Sequence, residues 1–315
     1  LAVQYLRIYF LGMPFILLYD FGSSILRSTG DSRRPLYSLI VAGILNTVLN
    51  LILVIVFRMG VAGVAIATVV SNIVSSGIVM WILMREPEPV RFTLRKLTIN
   101  GKELWKILSI GVPAGLQGMV FSLANVCIQS TINSFGSDAV AGSAAALNYE
   151  FFAYFIVNAF AQTTVTFTSQ NYGAGEYDRC RKIFRINMTF SMVFCGLLSA
   201  VFVLGRSFFL GLYTTDASVL GYATTRLVIA TTLELLTSTY EISGGAMRGL
   251  GHSLQPALIT VFGSCVLRLI WISTACVAVH EFWVLIIIYP ISWVVTGIIM
   301  IVSYLRLRKK MLIKN

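Results

Sequence analysis

Three carboxylates interrupt otherwise apolar stretches of this 315-residue sequence: Asp20, Glu150 and Glu241. Holding a charge at the centre of a membrane helix costs about 2.5–3.5 kcal/mol on insertion scales, so an acid retained there is a functional candidate. In apolar surroundings a carboxyl can take up and release a proton near neutral pH, or it can hold a small cation. The structural alternative is an acid that fastens one helix to the next by hydrogen bonds. Arg268, within Ser264-Cys265-Val266-Leu267-Arg268-Leu269-Ile270, needs an anion, and Glu241 on the preceding apolar run is its expected partner. Such pairing would keep Glu241 charged and structural, which is the rival to a proton-carrying role.

Amides recur on the same apolar runs: Asn46, Asn50, Gln117, Asn125, Gln129, Asn133, Asn148, Asn158 and Gln162. The spacing of Gln117, Asn125 and Gln129 puts three on one helical face. Amides so placed either line a cation path or hydrogen-bond between helices. Phe151, Phe152, Tyr154 and Phe155 follow Glu150, and could stack on an organic cation, pack, or face lipid. Trp81, Trp271, Trp283 and Trp293 include expected interface anchors. For enzymatic chemistry the sequence offers no Gly-Lys-Ser or Gly-Lys-Thr phosphate loop, no HExxH and no triad built from His252 or His280, so a non-enzyme is expected. No cofactor or metal cluster is implied. The five cysteines have no metal or redox spacing and are expected to be small buried hydrophobes.

The elements that carry these residues follow from composition. Hydrophobic residues make up 57% and charged residues 12% of the chain, too apolar for a water-soluble domain, where about 45–50% and about 25% are usual. Nine runs approach or exceed the about 20 residues needed to span a bilayer, near 8–26, 36–57, 61–84, 107–135, 139–168, 183–205, 219–247, 254–279 and 282–305. An all-α, multi-pass membrane protein is expected, and the net charge of +11 belongs to its loops rather than to a nucleic-acid surface. Alternate loops carry most of it: Arg27, Arg33 and Arg34; the run from Arg85 to Lys106; Arg179 to Arg185; Arg248; and the tail from Arg306 to Lys314. The opposite loops hold only Arg7, Arg58, Arg206 and Arg226. By the positive-inside rule the first set and the C-terminus are cytoplasmic.

The sequence also contains one stretch twice. Tyr19–Pro35 lies over Tyr240–Pro256 without a gap. Tyr19 meets Tyr240, Asp20 meets Glu241, Arg27 meets Arg248, Gly30 meets Gly251, Ser32 meets Ser253 and Pro35 meets Pro256. Six such matches in register mark a duplicated unit. Residues 85–106, with Glu86-Pro87-Glu88-Pro89, read as a cytoplasmic linker. Residues 1–84 then form the C-terminal half of a first six-helix lobe, 107–305 a second six-helix lobe, and 306–315 a basic tail. On that plan three spans precede Leu1.

The duplicated stretch, Ile110-Gly111-Val112-Pro113-Ala114-Gly115-Leu116-Gln117, Ser169-Gln170-Asn171-Tyr172-Gly173-Ala174-Gly175-Glu176 and Gly60-Val61-Ala62-Gly63-Val64-Ala65-Ile66-Ala67-Thr68 together resemble the MATE (multidrug and toxic compound extrusion) family. The resemblance implies spans four to twelve of a twelve-span, two-lobe antiporter. It would export organic cations against H⁺ or Na⁺ across a bacterial inner membrane, as a monomer whose partners are the bilayer and its cargo. Two departures qualify it. Asn50 stands where many relatives carry Asp and cannot titrate, and Gln117, Phe121 and Ser122 occupy a region where relatives often carry Glu. The candidate coupling or cargo residues are therefore Glu241, Asp20, Glu150, Asn50, Gln117, Asn148 and Arg268. Alternatives are a flippase for lipid-linked saccharides, which would hold phosphates with cavity arginines, and a scaffold or inactive remnant.

Overall fold

Inside a bilayer every backbone N–H and C=O must find its partner within the protein, and long apolar runs satisfy this as helices. The computed structural model describes residues 2–312, and among them nine helices are long and apolar enough to cross a membrane. They are α1 (Val3–Ser28), α2 (Arg33–Val56), α3 (Gly60–Arg85), α4 (Gly101–Asn133), α5 (Ser137–Gly173), α6 (Tyr177–Leu204), α7 (Ala217–Gly249), α8 (Leu254–Ala278) and α9 (Phe282–Lys310). Asn100 caps α4 by accepting from the Lys102 amide. Residues 101–106, expected in the linker because of their charge, are instead the first turns of α4. Asp216 caps α7 through the amides of Ser218 and Val219. Large apolar side chains such as Leu11, Val126, Phe155 and Ile298 are exposed, as suits surfaces that meet acyl chains.

The duplicated sequence is a duplicated structure. At the end of α1, Gly30 has φ +92 and the Asp31 amide donates to the Leu26 carbonyl; at the end of α7, Gly251 has φ +85 and the His252 amide donates to the Met247 carbonyl. Each is the same left-handed helix termination, which glycine adopts without a Cβ penalty. Ser32 and Ser253 then precede α2 and α8.

The chain divides between Ile99 and Asn100 into two compact units. In the first, α1 meets α3 where Gly12 and Gly22 leave room for Val69 and Val79, over a small core of Tyr19, Leu26, Val79 and Leu83. In the second, α5 packs on α6 and α7, and α7 on α9.

Close contact between α5 and α7 shapes the second unit. At its outer end a Cβ on Gly142 would lie 2.5 Å from the Val219 carbonyl oxygen; further along, Gly245 and Gly249 of α7 abut the backbone of Ala161 and Val165. Small residues here let two parallel helices approach closely. Between these contacts α7 has more residues than α5. A π-helical turn at Leu227–Thr231 takes up part of the surplus, and a 3₁₀ turn follows at Glu234–Leu236, whereas α5 is regular throughout. Irregular turns of this kind concentrate at functional sites.

Replacing Gly142 with Leu should force backbone against backbone and destabilise the protein by about 1–3 kcal/mol. Thermal unfolding in detergent should show a lowered Tm. Gly77→Ala, where a Cβ meets nothing within 4 Å, should leave the Tm unchanged or raise it.

Candidate functional site

The irregular stretch of α7 opens a cavity of about 280 Å³ among α4, α5, α7, α8 and α9. Four charged side chains line it, and none is solvated: Arg268 is 1% exposed, Arg226 2%, Glu234 4% and Glu150 6%. Arg226 is fully employed. Its Nε donates to Glu150 Oε1 at 2.7 Å, its Nη2 to Glu150 Oε2 at 2.9 Å and its Nη1 to Ser143 Oγ at 2.7 Å. This planar fork on a carboxylate is the strongest arrangement two such groups can make. Arg226, counted among the loop cations from its position in the sequence, is thus a core residue of the bundle.

Arg268 and Glu234 are placed differently. Arg268 donates through Nε to Ser292 Oγ at 3.1 Å and lies over the rings of Tyr289 and Phe121 at 4.6 and 5.3 Å, contacts that favour a guanidinium. Its Nη1 is buried with no hydrogen-bond partner among the described residues. The expected Glu241–Arg268 pair does not form. The side chains of the two residues line different cavities. Among the described residues none donates a hydrogen bond to the Glu234 carboxylate, on which Arg268 and Arg226 act only through space. Trp293, expected as an interface anchor, is buried and lines this cavity with Tyr154, Tyr240 and Tyr289.

A second cavity, about 180 Å³, lies further along α5 and α7 and is lined by Gln117, Asn158, Gln162, Glu241 and Arg248 among others. Glu241 Oε1 accepts from the Tyr154 hydroxyl at 3.1 Å, and its Oε2 lies 3.7 Å from Arg248 Nη2. Arg248, counted among the cytoplasmic loop cations from the sequence, also donates to the Gly244 carbonyl. The α4 amides divide between the two cavities, with Gln117 in this one and Asn125 and Gln129 in the larger.

Of the residues singled out by sequence, Glu150 and Arg268 share the larger cavity, while Glu241 and Gln117 share the smaller. Asn148 joins neither: it is exposed, and its amide bonds the Ala144 carbonyl of its own helix. Asp20 and Asn50 belong to the first unit. There Asp20 is exposed, and Asn50 donates to Asn46 Oδ1 at 3.0 Å. Sequence reasoning misses Glu234, although an acid within Thr231-Thr232-Leu233-Glu234-Leu235-Leu236 carries the same signal as Glu150. Among the described residues there is no cluster of three or more His, Cys, Asp or Glu side chains arranged to hold a metal ion. Four of the cysteines are buried as expected, and Cys127 is exposed.

These features describe a polytopic membrane helix bundle with buried acids in helix-lined cavities, and its family can be named. The MatE family model matches residues 113–272, just over half of the chain, and the chain belongs to this family. A second model, lipid II flippase MurJ, matches residues 1–129. The chain is 30% identical over 268 residues to the probable multidrug resistance protein YoeA of Bacillus subtilis (strain 168), covering 83% of this chain and 58% of that protein. It is also 30% identical over 224 residues to a FAD transporter of Shewanella oneidensis, covering 69% and 49%. The chain thus spans about half to three fifths of these relatives. Its fold is similar to a multidrug resistance MATE family transporter of the MOP superfamily in an outward-facing conformation, with TM-score 0.89 and 23% identity over 100% of this chain and 70% of that one.

Breaking the buried fork should be costly. Glu150→Gln or Arg226→Met alone leaves an uncompensated charge or a starved donor set and should cost about 3–5 kcal/mol. The double variant Glu150→Gln/Arg226→Met should recover part of that loss in detergent unfolding.

Proposed function

We propose that the protein is a secondary active exporter of organic cations, driven by inward flow of H⁺ or Na⁺ and resident as a monomer in a bacterial inner membrane with its C-terminus in the cytoplasm. Family membership supports the class. The observation that carries the mechanism is Glu234, a buried carboxylate facing a cavity without a bonded partner. Such a group can bind a proton or small cation from one side and surrender it to the other as access alternates.

In this reading Glu234 and Glu241 are the coupling acids, and Glu150 is spent on Arg226 as architecture. Aromatic walls and the amides Asn125 and Gln129 receive the cargo. Asp20 and Asn50 stand in reserve in the first lobe. Residues 1–84 and 107–305 act as parts of two six-helix lobes joined by the stretch around 85–106. No catalysis and no cofactor beyond the coupling ion is involved.

Arg268 favours a second reading. A guanidinium with an unpartnered Nη1 beside the cavity suits cargo that bears a carboxylate or phosphate. The similarity to a FAD transporter and the MurJ match point the same way. Organic cations remain the first choice because Glu234 offsets Arg268 across the same space.

Transport by the whole protein in proteoliposomes separates these readings. Ethidium efflux should respond to an imposed proton or sodium gradient, and the gradient that works names the ion. Glu234→Gln and Glu241→Gln should each lower that efflux sharply, because an amide can neither carry a proton nor balance the charge of a bound cation. Efflux unchanged in both variants would sink the coupling role. FAD uptake that is lost in Arg268→Gln, with no ethidium transport, would establish the anionic cargo.

A further inference from the structure

Glu234, Glu241 and Arg248 are each seven residues apart on α7, so they form a stripe with steps of roughly 10 Å along one helix face. The first lines the larger cavity, and the other two line the smaller. Among the described residues Tyr154 of α5 is the one that lines both. The Tyr154 side chain therefore borders both cavities. Its position is not loose. The glycine contacts of Gly245 and Gly249 hold α5 against α7 just beyond it, and the hydroxyl is bonded to Glu241 at 3.1 Å.

We infer that Tyr154 is a gate between two ion stations in the second unit, one at Glu234 and one at Glu241, and that the Glu241 carboxylate is the latch holding this gate shut. The larger cavity has one carboxylate without a bonded partner. The smaller has a carboxylate engaged on both oxygens, by a phenol from α5 and by Arg248 at 3.7 Å, surrounded by the neutral amides Gln117, Asn158 and Gln162. Tyr154 is thus a wall shared by the Glu234 cavity and the cavity that reaches Arg248.

The titratable and charged groups facing Glu241 define how the latch works. From α5 there is Tyr154; from α7 there are Tyr240, Arg248 and, one step away, Glu234; from α8, Arg268 lies beyond Tyr240. The side chain of Gln117 is what α4 contributes. While Glu241 is charged it attracts both the phenol hydroxyl and Arg248. A proton arriving on Oε1 occupies the oxygen to which Tyr154 donates and cancels the attraction to Arg248. The ring is then released, and the two cavities join. Protonation of Glu241 opens the way to Glu234, and loss of that proton toward the Arg248 side closes it.

Sidedness of thiol labelling in the whole protein tests this without any cargo or gradient, so its outcome is independent of whether export itself is established. All native cysteines are replaced, Asn158→Cys is introduced in the smaller cavity, and a charged, membrane-impermeant methanethiosulfonate is applied from either face of oriented proteoliposomes at pH 8. Labelling should be fast from the Arg248 side and slow from the other. Tyr154→Phe keeps the ring and its packing but removes the bond, and Glu241→Gln removes the charge. Each should raise the slow rate roughly tenfold, the change expected when one hydrogen bond to a charged acceptor is lost. Equal labelling from both faces in the parent, or a slow rate unmoved by both variants, would overturn the gate.

Discussion

The bidentate bond between Arg226 and Glu150 is the constraint on which the second unit depends. Two charges taken out of water lose several kcal/mol each, and only excellent geometry with additional hydrogen bonds restores it. Here Arg226 uses both edges of its fork and still has a donor for Ser143. The bond joins α5 to α7 just before α7 leaves regular geometry. It also sorts the charges: with Glu150 and Arg226 satisfying one another, Glu234 and Arg268 are left with unspent capacity in the same space. Neutrality of the four together makes such a concentration of charge tolerable in an apolar bundle.

Irregularity in α7 follows from length. Two parallel helices pinned at Gly142 and again at Gly245 must span the same distance, and the longer segment has to fold its surplus into turns of other pitch. The π turn takes up surplus, and the 3₁₀ turn after it is the stretched return toward regular helix. Backbone groups freed by such a mismatch are costly in lipid but tolerable beside a polar cavity. Glu234 lies in the 3₁₀ turn, beside the polar cavity where such backbone departures are tolerated.

Much of this architecture is legible in the sequence because it depends on composition and spacing. Apolar run lengths mark the spans, and the matched Gly30 and Gly251 mark two left-handed turns whose hydrogen bonds are the same. Depth and angle are harder to read. Arg226 looks like a loop cation because a linear charge pattern does not say where a helix begins. The partner of Arg268 is misassigned because a choice between anions on α7 depends on rotation about an axis that the π turn alters. Glu234 escapes notice for another reason: the repeat directs attention to acids with a counterpart, and opposite Glu234 the first copy has Met13. Asp20 and Asn50 are candidates from the sequence alone, as an acid and an amide within apolar runs.

The separation of the ion pair along the chain bears on how the protein is made. Glu150 and Arg226 are 76 residues apart, with the whole of α6 between them. During synthesis the acid reaches the translocon long before its guanidinium exists, so α5 must enter the bilayer with that carboxyl neutral or wait at the protein-lined exit. Partitioning of α5 is completed only when α7 arrives. The pair can therefore form only once α5, α6 and α7 have all been made, and until then the Glu150 carboxyl lacks its guanidinium.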